Sequence, residues 1–99
     1  MNLRSYWTKE AEVSFRAILT YLENEWGEMV ADAFASDVAH TITLLEIFPN
    51  GGVVELKEKG IRSIPVARQV RLFYRVASDA IFVLEFIDTR TERYQDSRK

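Results

Sequence analysis

The side chains best suited to chemistry gather late in this 99-residue sequence: Arg62, Arg71, Phe73, Arg75, Arg90 and Tyr94. Arginine stays charged at every physiological pH and grips a phosphate or carboxylate with two parallel N–H donors. Arg71, Phe73 and Arg75 occupy alternate positions, so on a strand all three share one face. An aromatic ring among arginines also gives a base a surface to stack on. The same residues have a plainer use, as a solvated sheet face or as partners of glutamates elsewhere in the chain. Composition leaves both readings open.

Other chemistries find no support. His40 is the single histidine, and a lone helical histidine is usually a surface or packing residue. No second imidazole exists to share a metal, and a Ser/His/Asp set would have to recruit His40 without any supporting motif. With no cysteine there is no disulfide and no thiolate-bound zinc. Gly51-Gly52 follows Pro49-Asn50 and reads as a turn, not a phosphate loop. No metal and no cofactor is expected. Trp7 and Trp26 are assigned to packing.

These arginines need elements to hold them. Leu3 to Trp7 reads as a strand, edge or central, and Thr8 stands at a helix N-cap with Glu10 and Glu12 in the first turn. Ala11, Phe15, Ile18, Leu22 and Trp26 repeat every three or four residues, and Gly27 follows as a stop. Val30, Phe34, Val38, Ile42, Leu45 and Phe48 repeat in the same way until Pro49-Asn50-Gly51-Gly52. Two helices joined at one glycine predict an antiparallel helical hairpin.

After Gly60 the period becomes two. Ile61 to Val66 is β-rich, with Pro65 hinting at an edge or a bulge. In Val70 to Val76, Val70, Leu72, Tyr74 and Val76 form one face. Ala77 to Ala80 reads as a turn. Ile81 to Ile87 is apolar apart from Glu85, which predicts a central strand covered on both faces. The expected class is α+β: one domain, residues 1–99, in the order β-α-α-β-β-β, with the hairpin packed on a small antiparallel sheet.

Bulk properties narrow the function classes. Hydrophobic residues make up 47% and charged residues 28%, an ordinary globular composition. No apolar run approaches the roughly 18 residues of a membrane span, and no secretory signal is evident, so a cytoplasmic protein without membrane contact is expected. The net charge is -2, whereas a dedicated nucleic-acid binder usually carries excess positive charge. The charge is nonetheless segregated. Residues 1–60 are acidic on balance, while residues 61–99 carry Arg62, Arg68, Arg71, Arg75, Arg90, Arg93, Arg98 and Lys99.

Several segments together resemble the RelE/ParE superfamily of toxins from bacterial type II toxin–antitoxin systems, over nearly the whole chain. Ile18 to Gly27, with an Ile and a Tyr before Trp26-Gly27, is similar to the ParE-type first helix. Leu45-Glu46-Ile47-Phe48-Pro49 is similar to the end of the second. Val70 to Val76 resembles the signature strand, and Phe86-Ile87-Asp88-Thr89-Arg90 the last strand with its closing Asp-x-Arg. The resemblance implies a helical hairpin on one face of the sheet and an open, functional face opposite. It also implies a cognate antitoxin, whose extended or helical segment covers that surface in a hetero-oligomer.

The superfamily divides by target. RelE-like members cut messenger RNA in the ribosome without a metal. By resemblance their catalytic positions map onto Arg62, Arg71, Arg90 and, slightly off register, Tyr94, while Ile64 stands where a second basic residue would be. An incomplete cation set weakens stabilisation of the phosphate transition state. ParE-like members interfere with DNA gyrase and need no catalytic residue, and the helical pattern here is closer to them. Arg71, Phe73, Arg75 and Arg90 are then the expected binding residues. A ribonuclease would lose transcript cleavage on Arg71→Ala or Arg90→Ala. A degenerate member would bind antitoxin and be harmless.

Overall fold

A computed structural model describes residues 2–90. The chain runs β1 (Arg4–Trp7), α1 (Lys9–Trp26), α2 (Glu28–Ile47), β2 (Val53–Leu56), β3 (Ile61–Ala67), β4 (Val70–Val76) and β5 (Ala80–Asp88), with 3₁₀ turns at Pro49–Gly51 and Lys57–Lys59. The α+β class and the helical hairpin on a sheet match the sequence expectation. Two details differ. Val53–Leu56 adds a fifth strand at the sheet's outer edge, in order β1-β5-β4-β3-β2. At the opposite edge β1 runs parallel to β5: β2, after the helical hairpin, runs opposite to β1, and the three antiparallel reversals that follow bring β5 back to the direction of β1. The remaining neighbours are antiparallel. Pro65 is accommodated by a bulge between Pro65 and Ala67 on an interior strand, not at an edge.

Local chemistry explains the helix ends. Thr8 Oγ1 accepts from the Ala11 N–H at 3.1 Å, closing one orphan donor of α1. The same hydroxyl donates to the Leu84 carbonyl at 2.9 Å, and Ser14 Oγ accepts from the Phe86 N–H at 2.9 Å. β1 pairs with β5 only as far as Val83, so the cap residue Thr8 and Ser14 of α1 take over where the ladder stops. Gly27 adopts φ +94°, a conformation that glycine reaches without strain and that turns α1 into α2.

The helices cover one face of the sheet. Phe34, Val38, Ile42 and Leu45 of α2 and Ala11 of α1 pack on Leu72, Tyr74, Ile81, Val83 and Phe86. Phe15 joins the layers, stacked on Phe34 at 5.7 Å and edge-on to Trp7 at 5.3 Å. Trp7 thus packs as expected. Trp26 does not: it is 68% exposed, and Val30 and Phe48 also leave their stripes uncovered. The stripes show which residues align along each helix, but the sheet is too small to cover their ends. β5 is interior in strand order yet, among the described residues, covered on one face only, whereas its sequence predicts a central strand buried on both.

Tyr74 closes the core at one end. Its hydroxyl donates to the Pro49 carbonyl at 2.9 Å and accepts the Gly52 N–H at 2.9 Å, tying the loop after α2 onto β4. Burial pushes the Tyr74 phenol above its ordinary value of 10.0, against smaller lowering effects of the Gly52 N–H and Arg62. The folded state therefore holds the proton more tightly than the unfolded chain. The resulting stability is present below pH 10 and lost as pH rises beyond it. Urea midpoints measured from pH 7 to 11 should fall at the alkaline end, and the fall should be shallower in Tyr74→Phe. An unchanged alkaline slope in that variant would exclude Tyr74 as its source.

Candidate binding surfaces

The face of the sheet away from the helices carries part of the arginine set. Strand register places Ile61, Ser63 and Pro65 of β3 opposite Arg75, Phe73 and Arg71 of β4. Arg71 is held in place: Nε donates to Ser63 Oγ at 3.1 Å and Nη2 to the Ser63 carbonyl at 3.3 Å. The Ser63 hydroxyl in turn donates to the Glu55 carboxylate, so a fully buried serine links the two charges. Arg75 is exposed and lies over the Phe82 ring, its Cζ 4.8 Å from the centroid. Arg71, Phe73 and Arg75 therefore share the uncovered face, as their alternation implied.

Arg62 and Arg90 do not join them. Arg62 pairs in register with Tyr74, which points under the helices, and Asp88 pairs with Val70, which does the same. Strand alternation puts Arg62 and Asp88 on the helix side, near opposite ends of β4, and Arg90, in the turn after β5, lines the same side beside α1. Arg62 Nη1 donates to the carbonyls of Gly52 at 2.8 Å and Asn50 at 3.2 Å, fastening the loop that Tyr74 also holds. Arg90 is paired with Asp88 at 2.7 Å. That hydrogen bond raises the guanidinium's pKa and lowers the carboxyl's, so both stay charged. Tyr94 lies outside the described residues. Among those described, no group of acidic or histidine side chains is arranged to hold a metal ion.

A surface the sequence reading missed lies on the helix side. Ile18, Tyr21, Leu22 and Trp26 of α1, Val30 and Phe34 of α2, and the β3–β4 turn from Ala67 to Val70 enclose a groove of about 800 Å³. Its lining is mostly apolar, and Arg68, Gln69, Asp88 and Arg90 add polar groups to it. Pockets of this size and lining are where ligands and partner segments dock. The signal was present in the sequence. The helical stripes run to Trp26 and start again at Val30, further than a five-stranded sheet of short strands can cover, and the excess apolar surface is the groove.

Comparison with known proteins gives a consistent picture. A sequence family described as the ParE toxin of the parDE type II toxin–antitoxin system matches residues 6–93. No curated protein matches the chain by sequence. Among solved structures, the chain is similar to one described as the chromosomal ParDE system of P. aeruginosa, with 19% identity, TM-score 0.72, and coverage of 87% of this chain and 95% of that one. It is similar to the RelBE2 toxin–antitoxin complex of Mycobacterium tuberculosis, at 15% identity and TM-score 0.62, over 89% and 99% of the two chains. It is also similar to a copper-bound mutant toxin from Helicobacter pylori, at 20% identity and TM-score 0.57, over 87% and 93%. At these identities the structural likeness speaks for the fold.

Proposed function

The chain belongs to the ParE toxin family of type II toxin–antitoxin systems, and on that premise we propose that it arrests growth by interfering with DNA gyrase and is silenced by an antitoxin segment seated in the groove. The observation that carries the gyrase reading is the division of the arginines across the sheet. A ribonuclease needs several cations converging on one scissile phosphate. Here Arg71 is on one face while Arg62 and Arg90 are on the other. Each also has a partner within the chain: Ser63 for Arg71, loop carbonyls for Arg62, Asp88 for Arg90. Among the described residues these three arginines do not converge on one phosphate, whereas a protein that acts by docking does not require that they should.

The groove supports the antitoxin part. An amphipathic helix or extended segment needs an apolar trough with polar contacts beside it, and Ile18, Leu22 and Phe34 together with Arg68 and Arg90 supply both. The structures of ParDE and RelBE systems concern toxins that are paired with antitoxins.

The test is induced expression with and without the cognate antitoxin, alongside a supercoiling assay with purified gyrase. Growth arrest relieved by antitoxin, blocked supercoiling and intact transcripts are expected. Cleaved transcripts with normal supercoiling would overturn the gyrase reading in favour of a ribonuclease. Harmless expression of a folded chain would reduce it to an antitoxin-binding module.

A further inference from the structure

Among the described residues no helix covers the sheet face opposite the groove, and its side chains form a distinctive row. Tyr6 of β1 stacks on Phe82 of β5 at 5.8 Å and 28°, and Arg75 of β4 lies over the same ring at 4.8 Å. The three residues form a row across neighbouring strands β1, β5 and β4. Tyr6 is 48% exposed and Arg75 is exposed, so the row is presented to solvent with its stacking already made. Arg75 makes no ion pair among the described residues, where the one salt bridge is Arg90 with Asp88. Alternation along β1 puts Arg4 beside Tyr6, and Arg71 lies on the far side of Phe73.

We propose that this row is a protein-docking surface, separate from the groove, through which the toxin meets its target. The inference rests on the toxin reading above. The partner's chemistry follows from the charge and composition of the face. Among the described residues its cations are Arg4, Arg71 and Arg75, against two carboxylates: Glu55, which accepts from Ser63, and Glu85, which stands opposite Phe73. A carboxylate on the partner, beside an apolar or aromatic side chain, complements a guanidinium laid over a ring. None of the five strands contains a lysine. Arginine and aromatic residues without lysine are the mark of a protein–protein interface core. A nucleic-acid surface neutralises many phosphates and is strongly basic, which a chain of net charge -2 with three arginines on this face is not. The rings also lose little freedom on binding, since Phe82 already orients both neighbours.

Two faces of one sheet then serve two partners. The antitoxin is held by the groove on the helix side, and the target by the row on the other. The experiment compares wild type with Arg75→Glu and Tyr6→Ala, each checked for native circular dichroism. The readouts are growth arrest, inhibition of purified gyrase, and antitoxin affinity by titration calorimetry. Each variant should lose at least tenfold in potency against gyrase while binding antitoxin with the wild-type affinity. Equal potency of both variants, with a toxic wild type, overturns the docking surface and leaves the toxin reading intact. Antitoxin affinity falling in step with potency overturns the separation of the two faces. Salt-sensitive binding of an oligothymidylate by wild type, lost in Arg75→Glu, overturns the protein partner in favour of a nucleic acid. A wild-type chain that neither arrests growth nor slows gyrase removes the toxin reading itself, and the target with it.

Discussion

Gly52→Ala is expected to lower the unfolding free energy by about 3 kcal/mol, a large part of the 5–15 kcal/mol typical of small domains. Gly52 has ordinary extended backbone angles, so conformational freedom is not the reason a glycine stands there. A methyl carbon at this position would sit 2.6 Å from Tyr74 Oη, 2.7 Å from the Ser63 carbonyl oxygen and 2.9 Å from a Tyr74 ring carbon. Tyr74 has no exposed surface and is packed on all sides. Ser63 is locked by its ladder to Phe73 and by its bonds to Glu55 and Arg71. Neither neighbour can yield without disturbing the core, so the loop from Pro49 must lift away. Lifting it breaks the Gly52 N–H and Pro49 carbonyl bonds to Tyr74 and both carbonyl contacts of Arg62. Urea denaturation of the purified chain measures the loss. Gly51→Ala is the control, since its added carbon meets only a Leu45 methyl at 3.8 Å. A Gly52→Ala chain within about 0.5 kcal/mol of wild type, the range of neutral surface changes, would show that the loop gives way freely.

The second large effect separates binding from stability. Trp26→Ala should leave the urea midpoint almost unchanged and weaken antitoxin binding by a factor of about 100 or more, a loss on the order of 3 kcal/mol. Trp26 is 68% exposed at the turn end of the hairpin, so few of its contacts are made in the free chain. It also lines the groove with Tyr21, Leu22 and Val30, where a seated segment would bury it. Large aromatic residues that become buried only on association are the usual anchors of interfaces. Calorimetric titration with the antitoxin reads the affinity directly. An affinity within threefold of wild type would place the antitoxin elsewhere on the molecule. A collapse in the urea midpoint would instead make Trp26 a core residue after all.

The two substitutions also show what kind of residue each signal describes. From the sequence alone Trp26 reads as a packing residue, and it continues the stripe of Ala11, Phe15, Ile18 and Leu22. The stripe is real, but only its first part meets the sheet. In the sequence Gly52 is one of two turn glycines, and nothing within the Pro49-to-Gly52 segment separates it from Gly51. The difference lies in Tyr74, 22 residues further on.

Much of the architecture was decided by neighbours in sequence. The helical period, the Thr8 cap, the reversal at Gly27 and the alternation of Val70 to Val76 each depend on residues within a few positions of one another. They can be read without knowing the rest of the chain. That Arg71, Phe73 and Arg75 share a face follows in the same way. Which face of the sheet Arg62 and Arg90 occupy does not. It depends on Arg62 standing opposite Tyr74 and Asp88 opposite Val70. A register displaced by one residue would send Arg62 and Asp88, and with Asp88 the paired Arg90, to the other side. Strand pairing is a contact between distant segments, set by how well the whole core closes. The parallel partner of β1, the added edge strand β2, the groove left by helices longer than their support, and the division of the arginines were therefore settled only by the tertiary structure.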